Sequence, residues 1–174
     1  MYELEIPQGA NLSLDGDFVV ISGKLGTARK KINRKLMSVS IEGGKVVIKE
    51  KGGKKLEKFA TLAIQSFSSG VKSAMEGVTK GVEVKMKVVY AHFPMSIEIK
   101  GKDIVIKNIF GEKIPRVTHT VGDTKVEVKG QDVTIRGVDN YDVGQTVANM
   151  RKACAARGYD TRVFQDGIYV ALEE

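Results

Sequence analysis

The chain is short of the residues from which catalytic and metal sites are usually built. Its 174 residues include one cysteine, two histidines, three prolines and no tryptophan. A single thiol, Cys154, excludes an internal disulfide and fits a reducing compartment. There is no close-spaced Cys/His pair for a structural zinc and no helical His-Glu-x-x-His arrangement. No apolar run approaches the roughly 20 residues that a membrane helix needs. The opening Met1-Tyr2-Glu3-Leu4-Glu5 lacks both the basic start and the apolar core of a signal peptide. The expectation is a soluble, complete, cytoplasmic chain with no membrane partner.

The remaining chemical motifs are also missing. No Gly-x-Ser-x-Gly elbow is present, and Gly52-Gly53-Lys54-Lys55 lacks the earlier glycine and the following hydroxyl of a phosphate loop, so it reads as a basic turn. Cys154 falls on the apolar stripe of a helix, where a small buried thiol is expected and not a nucleophile. Asp139 and Asp142 flank a helix start as capping and dipole partners. His92, beside Phe93-Pro94, reads as a turn residue. His119 alternates with Val117 and Val121 and reads as an outward-facing strand or loop residue, with a phosphate contact as the sharper alternative. No catalytic, cofactor or metal site and no small-molecule substrate are expected.

Positive charge is plentiful by contrast. Lys and Arg number 28 against 21 Asp and Glu, a net charge of +7 with a pI near 9.4, which favours polyanions as partners. Residues 1–81 carry 14 basic and 8 acidic side chains, residues 82–174 carry 14 and 13. Arg29, Lys30, Lys31, Arg34 and Lys35 crowd one link of the first half, and Lys49, Lys51, Lys54, Lys55 and Lys58 crowd the link before its helix. The second half concentrates arginine instead, at Arg116, Arg136, Arg151, Arg157 and Arg162 beside Lys152. Arginine is the better bidentate partner for phosphate.

The chain also repeats itself. Gly16-Asp17-Phe18-Val19-Val20-Ile21 returns as Gly101-Lys102-Asp103-Ile104-Val105-Ile106, and Leu25-Gly26 returns as Phe110-Gly111. Val39-Ser40-Ile41-Glu42-Gly43 with Val46-Val47-Ile48 returns as Val126-Glu127-Val128-Lys129-Gly130 with Val133-Thr134-Ile135. A helical stretch follows each, and then Gly81-Val82-Glu83-Val84 or Gly167-Ile168-Tyr169-Val170. Two such long units imply tandem domains, 1–81 and 82–174, with a boundary between about 81 and 94. The fold class expected is α+β, with each domain a small antiparallel sheet covered on one face by a helix.

Local signals place the elements. Phe18 to Ile21, Val39 to Ile41 and Val46 to Ile48 read as strands, with Gly43-Gly44 as a turn. Leu56, Phe59, Ala60, Ala63, Phe67, Val71, Ala74 and Val78 form one helical stripe, interrupted by Gly70 as a close-packing point or a kink. Val82, Val84, Met86 and Val88 alternate as a half-buried strand. Strands follow near Ser96 to Ile99, Ile104 to Asn108, Thr124 to Val128 and Val133 to Arg136. Asp142 is expected to cap the second helix, which carries Val143, Val147, Met150 and Cys154, and Gly158 to stop it. Asp166-Gly167, between two apolar runs, is expected to turn a hairpin.

Together with the duplicated unit, Gly137-Val138-Asp139 leading into Val143-Gly144-Gln145-Thr146-Val147-Ala148 and the closing Arg162-Val163-Phe164-Gln165-Asp166-Gly167-Ile168-Tyr169 resemble the universal family of large-subunit ribosomal protein six, in its archaeal and eukaryotic branch. The resemblance runs end to end, with its specific motifs in the second half. Bacterial members end in a Lys/Gly-rich segment around a similar tyrosine, which Gly158-Tyr159-Asp160-Thr161-Arg162 replaces here. The resemblance implies a non-enzymatic, ribosome-associated protein that binds large-subunit rRNA near the stalk base and the sarcin-ricin loop. Neighbouring ribosomal proteins, including the stalk base, and translation factors would lie nearby. It makes the second domain the main RNA contact, and the residues there that suit that role are Lys113, Arg116, His119, Arg136, Arg151, Lys152, Arg157 and Arg162. Two alternatives stand beside it: a non-ribosomal two-domain adaptor using exposed sheet edges, and an enzyme whose site forms between the domains.

Overall fold

A computed structural model describes residues 2–42, 44–51, 57–91 and 93–171. The chain divides into two compact units, Met1–Gly81 and Val82–Glu174. The first contains β1 (Tyr2–Glu5), β2 (Asn11–Asp15), β3 (Phe18–Ser22), β4 (Thr27–Lys31), β5 (Met37–Glu42), β6 (Lys45–Glu50) and α1 (Glu57–Lys80). Its strands form two antiparallel sheets, β1-β6-β5 and β2-β3-β4. The second contains β7 (Val82–Val89), β8 (Ser96–Lys100), β9 (Asp103–Lys107), β10 (Arg116–His119), β11 (Lys125–Lys129), β12 (Asp132–Gly137), α2 (Asn140–Ala153) and β13 (Gly167–Val170). Its sheets are β10-β9-β8 and β11-β12-β7-β13. Each unit is thus α+β with two sheets where one was expected, and in each the helix packs on strands from both sheets.

The duplication holds at the level of register. Asp15 lies opposite Phe18 as Lys100 lies opposite Asp103, around Gly16 and Gly101, whose φ values of 54° and 65° suit a tight hairpin turn. Ile41 opposes Val46 as Val128 opposes Val133. The link from β9 to β10 is longer than that from β3 to β4, and it contains a single 3-10 turn at Ile109–Gly111. Gly81 and Gly167 do not occupy equivalent places. The strand after Gly81 is β7, which opposes β12 as β1 opposes β6, whereas β13 is an additional strand on the other side of β7.

Apolar alternation and helical spacing decide which faces close. In β7, Met86 and Val88 are buried while Glu83, Lys85 and Lys87 are exposed. The second core joins Ile104, Ile106, Val133, Ile135, Val143 and Met150, each fully covered, and each such side chain contributes about 1.5–3 kcal/mol. In α1 the buried stripe is Ala60, Ile64, Val71, Ala74, Met75 and Val78, while Phe59, expected in that stripe, is 66% exposed. Ile64 faces the sheet instead, four residues after Ala60 and seven before Val71. Gly70 is neither a close-packing point nor a break: a Cβ there would meet nothing within 4 Å, and α1 runs through it.

Three local expectations are corrected. The N-cap of α2 is Asp139, whose carboxylate accepts from the Tyr141 N–H at 3.0 Å, and Asp142 lies inside the first turn. The helix ends at Ala153 with Cys154 as C-cap, before Gly158. Asp166-Gly167 turns no hairpin: residues 161–163 form a turn, and β13 begins at Gly167 and pairs with β7. The Asp166 carboxylate is drawn inward, where Oδ1 accepts from the Ala91 N–H at 2.7 Å. Lys54, Lys55, Leu56, His92 and Gly43 lie outside the described residues, as does the proposed turn at Gly52-Gly53. No helix among the described residues is long and apolar enough to cross a membrane.

Candidate nucleic-acid interface

The last turn of α2 and the link from it to β13 carry a dense run of positive charge in the second unit. From residue 151 to 165 they hold Arg151, Lys152, Arg157 and Arg162 against one carboxylate, Asp160. All four cations are exposed. A loop of this length needs internal ties to present them in fixed positions, because ordering each free residue costs about 1–2 kcal/mol of backbone entropy.

Arg116 supplies the first tie. At the start of β10 its guanidinium donates Nε and Nη2 to the Glu112 carboxylate at 2.9 and 2.6 Å, and Nη1 to the carbonyls of Ala153 and Ala155 at 2.9 and 2.8 Å. Those carbonyls close the C-terminal end of α2, the negative pole of the helix, so the cation is well placed electrostatically. The guanidinium also lies 5.7 Å from the centroid of the Phe110 ring. Paired hydrogen bonding holds the Glu112 carboxyl below its ordinary range and raises Arg116 further.

Aromatic stacking supplies the second tie. Tyr159 lies over Phe110 at 5.1 Å between centroids, and Phe164 meets Tyr159 at 5.0 Å and Phe110 at 6.3 Å, edge-on. Phe110 reaches this position through left-handed backbone at Asn108 and at itself, φ 59° and 52°. Such strain in non-glycine residues costs on the order of 1 kcal/mol each. The Asn108 amide steadies the turn by donating to the Pro94 carbonyl at 2.9 Å. Within the loop, the Val163 and Phe164 N–H groups both donate to the Asp160 carbonyl, and the Arg162 N–H donates to the Asp160 side chain.

The eight residues nominated from sequence therefore fall into different settings. Lys113 is exposed in the segment between Glu112 and Arg116, Arg151 and Lys152 are exposed in the last turn of α2, and Arg157 and Arg162 are exposed in the link that follows it. Arg116 has its donors engaged within the protein. His119 lies farther along β10, exposed, with Nδ1 2.7 Å from Asp103 Oδ1. Arg136 is at the far end of β12, beside the start of α2, and is paired with Glu83 at 3.0 Å. The Arg116 bonds bring the segment that carries Lys113 to the end of α2, whose last turn holds Arg151 and Lys152, while the His119 carbonyl accepts from the Asn149 amide at 3.3 Å and Arg136 is held by Glu83. Phe110, Tyr159 and Phe164 enter the sequence reading only as residues of the repeat and of the closing motifs, without a packing role, and Glu112 does not enter it. The spacing of Glu112 and Arg116, four residues apart, was the available signal.

Cys154 is buried, and desolvation pushes its thiol up to about 11. Among the described residues, no three His, Cys, Asp or Glu side chains converge on a position that could hold a metal.

The family model described as "Ribosomal protein L6" matches residues 93–167, the stretch containing Arg116 and its partners, the aromatic cluster and the exposed Lys113, Arg151, Lys152, Arg157 and Arg162. Proteins named large ribosomal subunit protein uL6 are similar along nearly the whole chain. That of Methanocella arvoryzae is 40% identical over 169 residues, 97% of this chain and 94% of its own. The chain belongs to this ribosomal protein L6 family. The L6 protein of Methanosarcina mazei is 38% identical over 167 residues, 96% of this chain and 93% of its own, and that of Thermoplasma acidophilum 36% over 167 residues, 96% and 92%. The similarity thus covers both units of the L6 fold, including the basic first unit that the family model does not reach.

Proposed function

We propose that the chain is a structural, non-enzymatic constituent of the large ribosomal subunit in the cytoplasm. It binds large-subunit rRNA near the stalk base and the sarcin-ricin loop, among neighbouring ribosomal proteins and close to where translation factors act. Its near full-length similarity to large ribosomal subunit proteins uL6 is the observation that carries this reading. The second unit makes the main RNA contact through Lys113, Arg151, Lys152, Arg157 and Arg162.

The proposed mechanism is passive. Exposed Lys and Arg neutralise phosphates and release counterions, while a stiff loop fixes which phosphates are reached. Arg116 contributes by holding the start of that loop through the Ala153 and Ala155 carbonyls. The basic first unit adds nonspecific attraction. Sedimentation of the cellular protein tests the reading: it is expected in the large-subunit fraction at moderate salt, and recovery entirely in the free pool would overturn it.

A further inference from the structure

The two units match strand for strand except at one place. Val46 and Val133 are equivalent, and Leu4 lies opposite the first as Met86 lies opposite the second, so β1 corresponds to β7, Glu3 to Lys85 and Glu5 to Lys87. β7 is flanked by β12 on one side and β13 on the other. β1 has β6 on one side and, among the described residues, no strand on the other.

The backbone of β1 is set to accept one. The Ile6 N–H donates to the Gly44 carbonyl at 3.3 Å, on the β6 side. Alternation along an antiparallel ladder then turns the groups of Tyr2 and Leu4 toward β6 and those of Glu3 and Glu5 outward. In the second unit the Val88 N–H donates to Gln131 on the β12 side, while the Lys85 carbonyl accepts from the Ala171 N–H at 2.9 Å on the β13 side. Glu3 and Glu5 therefore hold their outward N–H and C=O groups where Lys85 and Lys87 meet the fourth strand.

The side chains state what would fit. Tyr2 and Leu4 are half-buried on the α1 side, where the Gln65 amide lies 3.5 Å from the Tyr2 hydroxyl. Glu3 and Glu5 are on the exposed face, sharing the single cation of Lys45, 3.7 Å from each. The sign of this face is opposite to that at Lys85 and Lys87, and it disfavours phosphate.

We propose that the outer edge of β1 is a strand-docking site for an extended segment of a partner protein, antiparallel to β1, with basic side chains opposite Glu3 and Glu5 and apolar ones on the α1 side. This surface is distinct from the exposed cations of the second unit, so its occupancy is measured without RNA.

The probe is a short synthetic peptide alternating lysine and valine, titrated at millimolar concentration into the full chain while backbone amide shifts and hydrogen exchange are followed. The Glu3 and Glu5 amides are expected to shift and gain protection. Glu3→Lys with Glu5→Lys should weaken binding about tenfold, since two cross-strand pairs change from attraction to repulsion. Glu5→Pro removes only an outward N–H, a change that edge strands tolerate, and should abolish binding while the remaining amides keep their native shifts. Equal binding of a glutamate-valine peptide, protection at a different sheet edge, or no response at millimolar peptide would overturn the proposal. Self-association of the chain that Glu5→Pro abolishes would also overturn it, by giving the edge to a second copy.

Discussion

Arg116 shows how one residue type serves two ends. Arg157 and Arg162 are exposed on the α2–β13 link, whereas Arg116, half-buried among Glu112, two carbonyls and an aromatic ring, is spent on holding the end of α2. Arg116→Ala removes four hydrogen bonds and leaves Glu112 without its partner; it is expected to destabilise the second unit by about 2–3 kcal/mol. The loss should appear as increased hydrogen exchange through residues 155–165. The pair also titrates. Because the native Glu112 carboxyl lies below its ordinary value near 4.5, its contribution is present above that value and is lost as pH falls through the depressed native one. Glu112→Gln should therefore lower the urea midpoint at pH 7, and the difference from the parent chain should shrink steadily as the pH is taken below 4.5. Cys154, with a thiol pushed up to about 11, should react with a maleimide at pH 7.5 far more slowly than an exposed cysteine, and only through opening of the unit.

Elements whose side chains alternate or stripe cleanly, such as β3, β6, β7, β9 and α1, were legible because each buries a regular apolar face. β4 was not. Thr27-Ala28-Arg29-Lys30-Lys31 reads as a basic link, yet as an edge strand it needs only Ala28 inward. β13 was legible as a strand, but its partner was not, since Asp166-Gly167 carries the chemistry of a turn and a long-range bond to Ala91 decides the pairing. The exposed cations could be named from sequence. The tie from Arg116 to the end of α2 could not, because it joins residues nearly 40 positions apart, at |i−j| of 37 and 39. Gly70 shows the limit of a propensity argument: the interruption it signals does not occur, and its missing side chain leaves open space. Gly70→Ala should stabilise the first unit by about 0.5–1 kcal/mol, read as a higher thermal midpoint, because it lowers unfolded-state entropy without a clash.

Over the whole molecule, net charge and contact surface separate. The first unit holds most of the excess positive charge, but Arg34 is tied to Asp17 and the Gly16 carbonyl, both at 2.6 Å, and Arg29, Lys30 and Lys31 are spread along an edge strand. The second unit is nearly neutral, with 14 basic against 13 acidic side chains; Glu83, Glu98 and Glu112 pair with Arg136, Lys107 and Arg116, while residues 151–162 set four exposed cations against one carboxylate. Such a surface would neutralise a few phosphates at fixed spacing, where diffuse charge would neutralise many weakly. Replacing Arg151, Arg157 and Arg162 together by Ala separates these cases. All three are exposed and none is part of the clamp or the aromatic cluster, so the variant should keep its circular dichroism and unfolding midpoint. If each meets one phosphate, the slope of log binding constant against log salt for large-subunit rRNA should fall in magnitude by roughly two to three, at somewhat under one per phosphate. Titrations at several salt concentrations measure it, and an unchanged slope in the folded variant would move the RNA contact away from these three arginines.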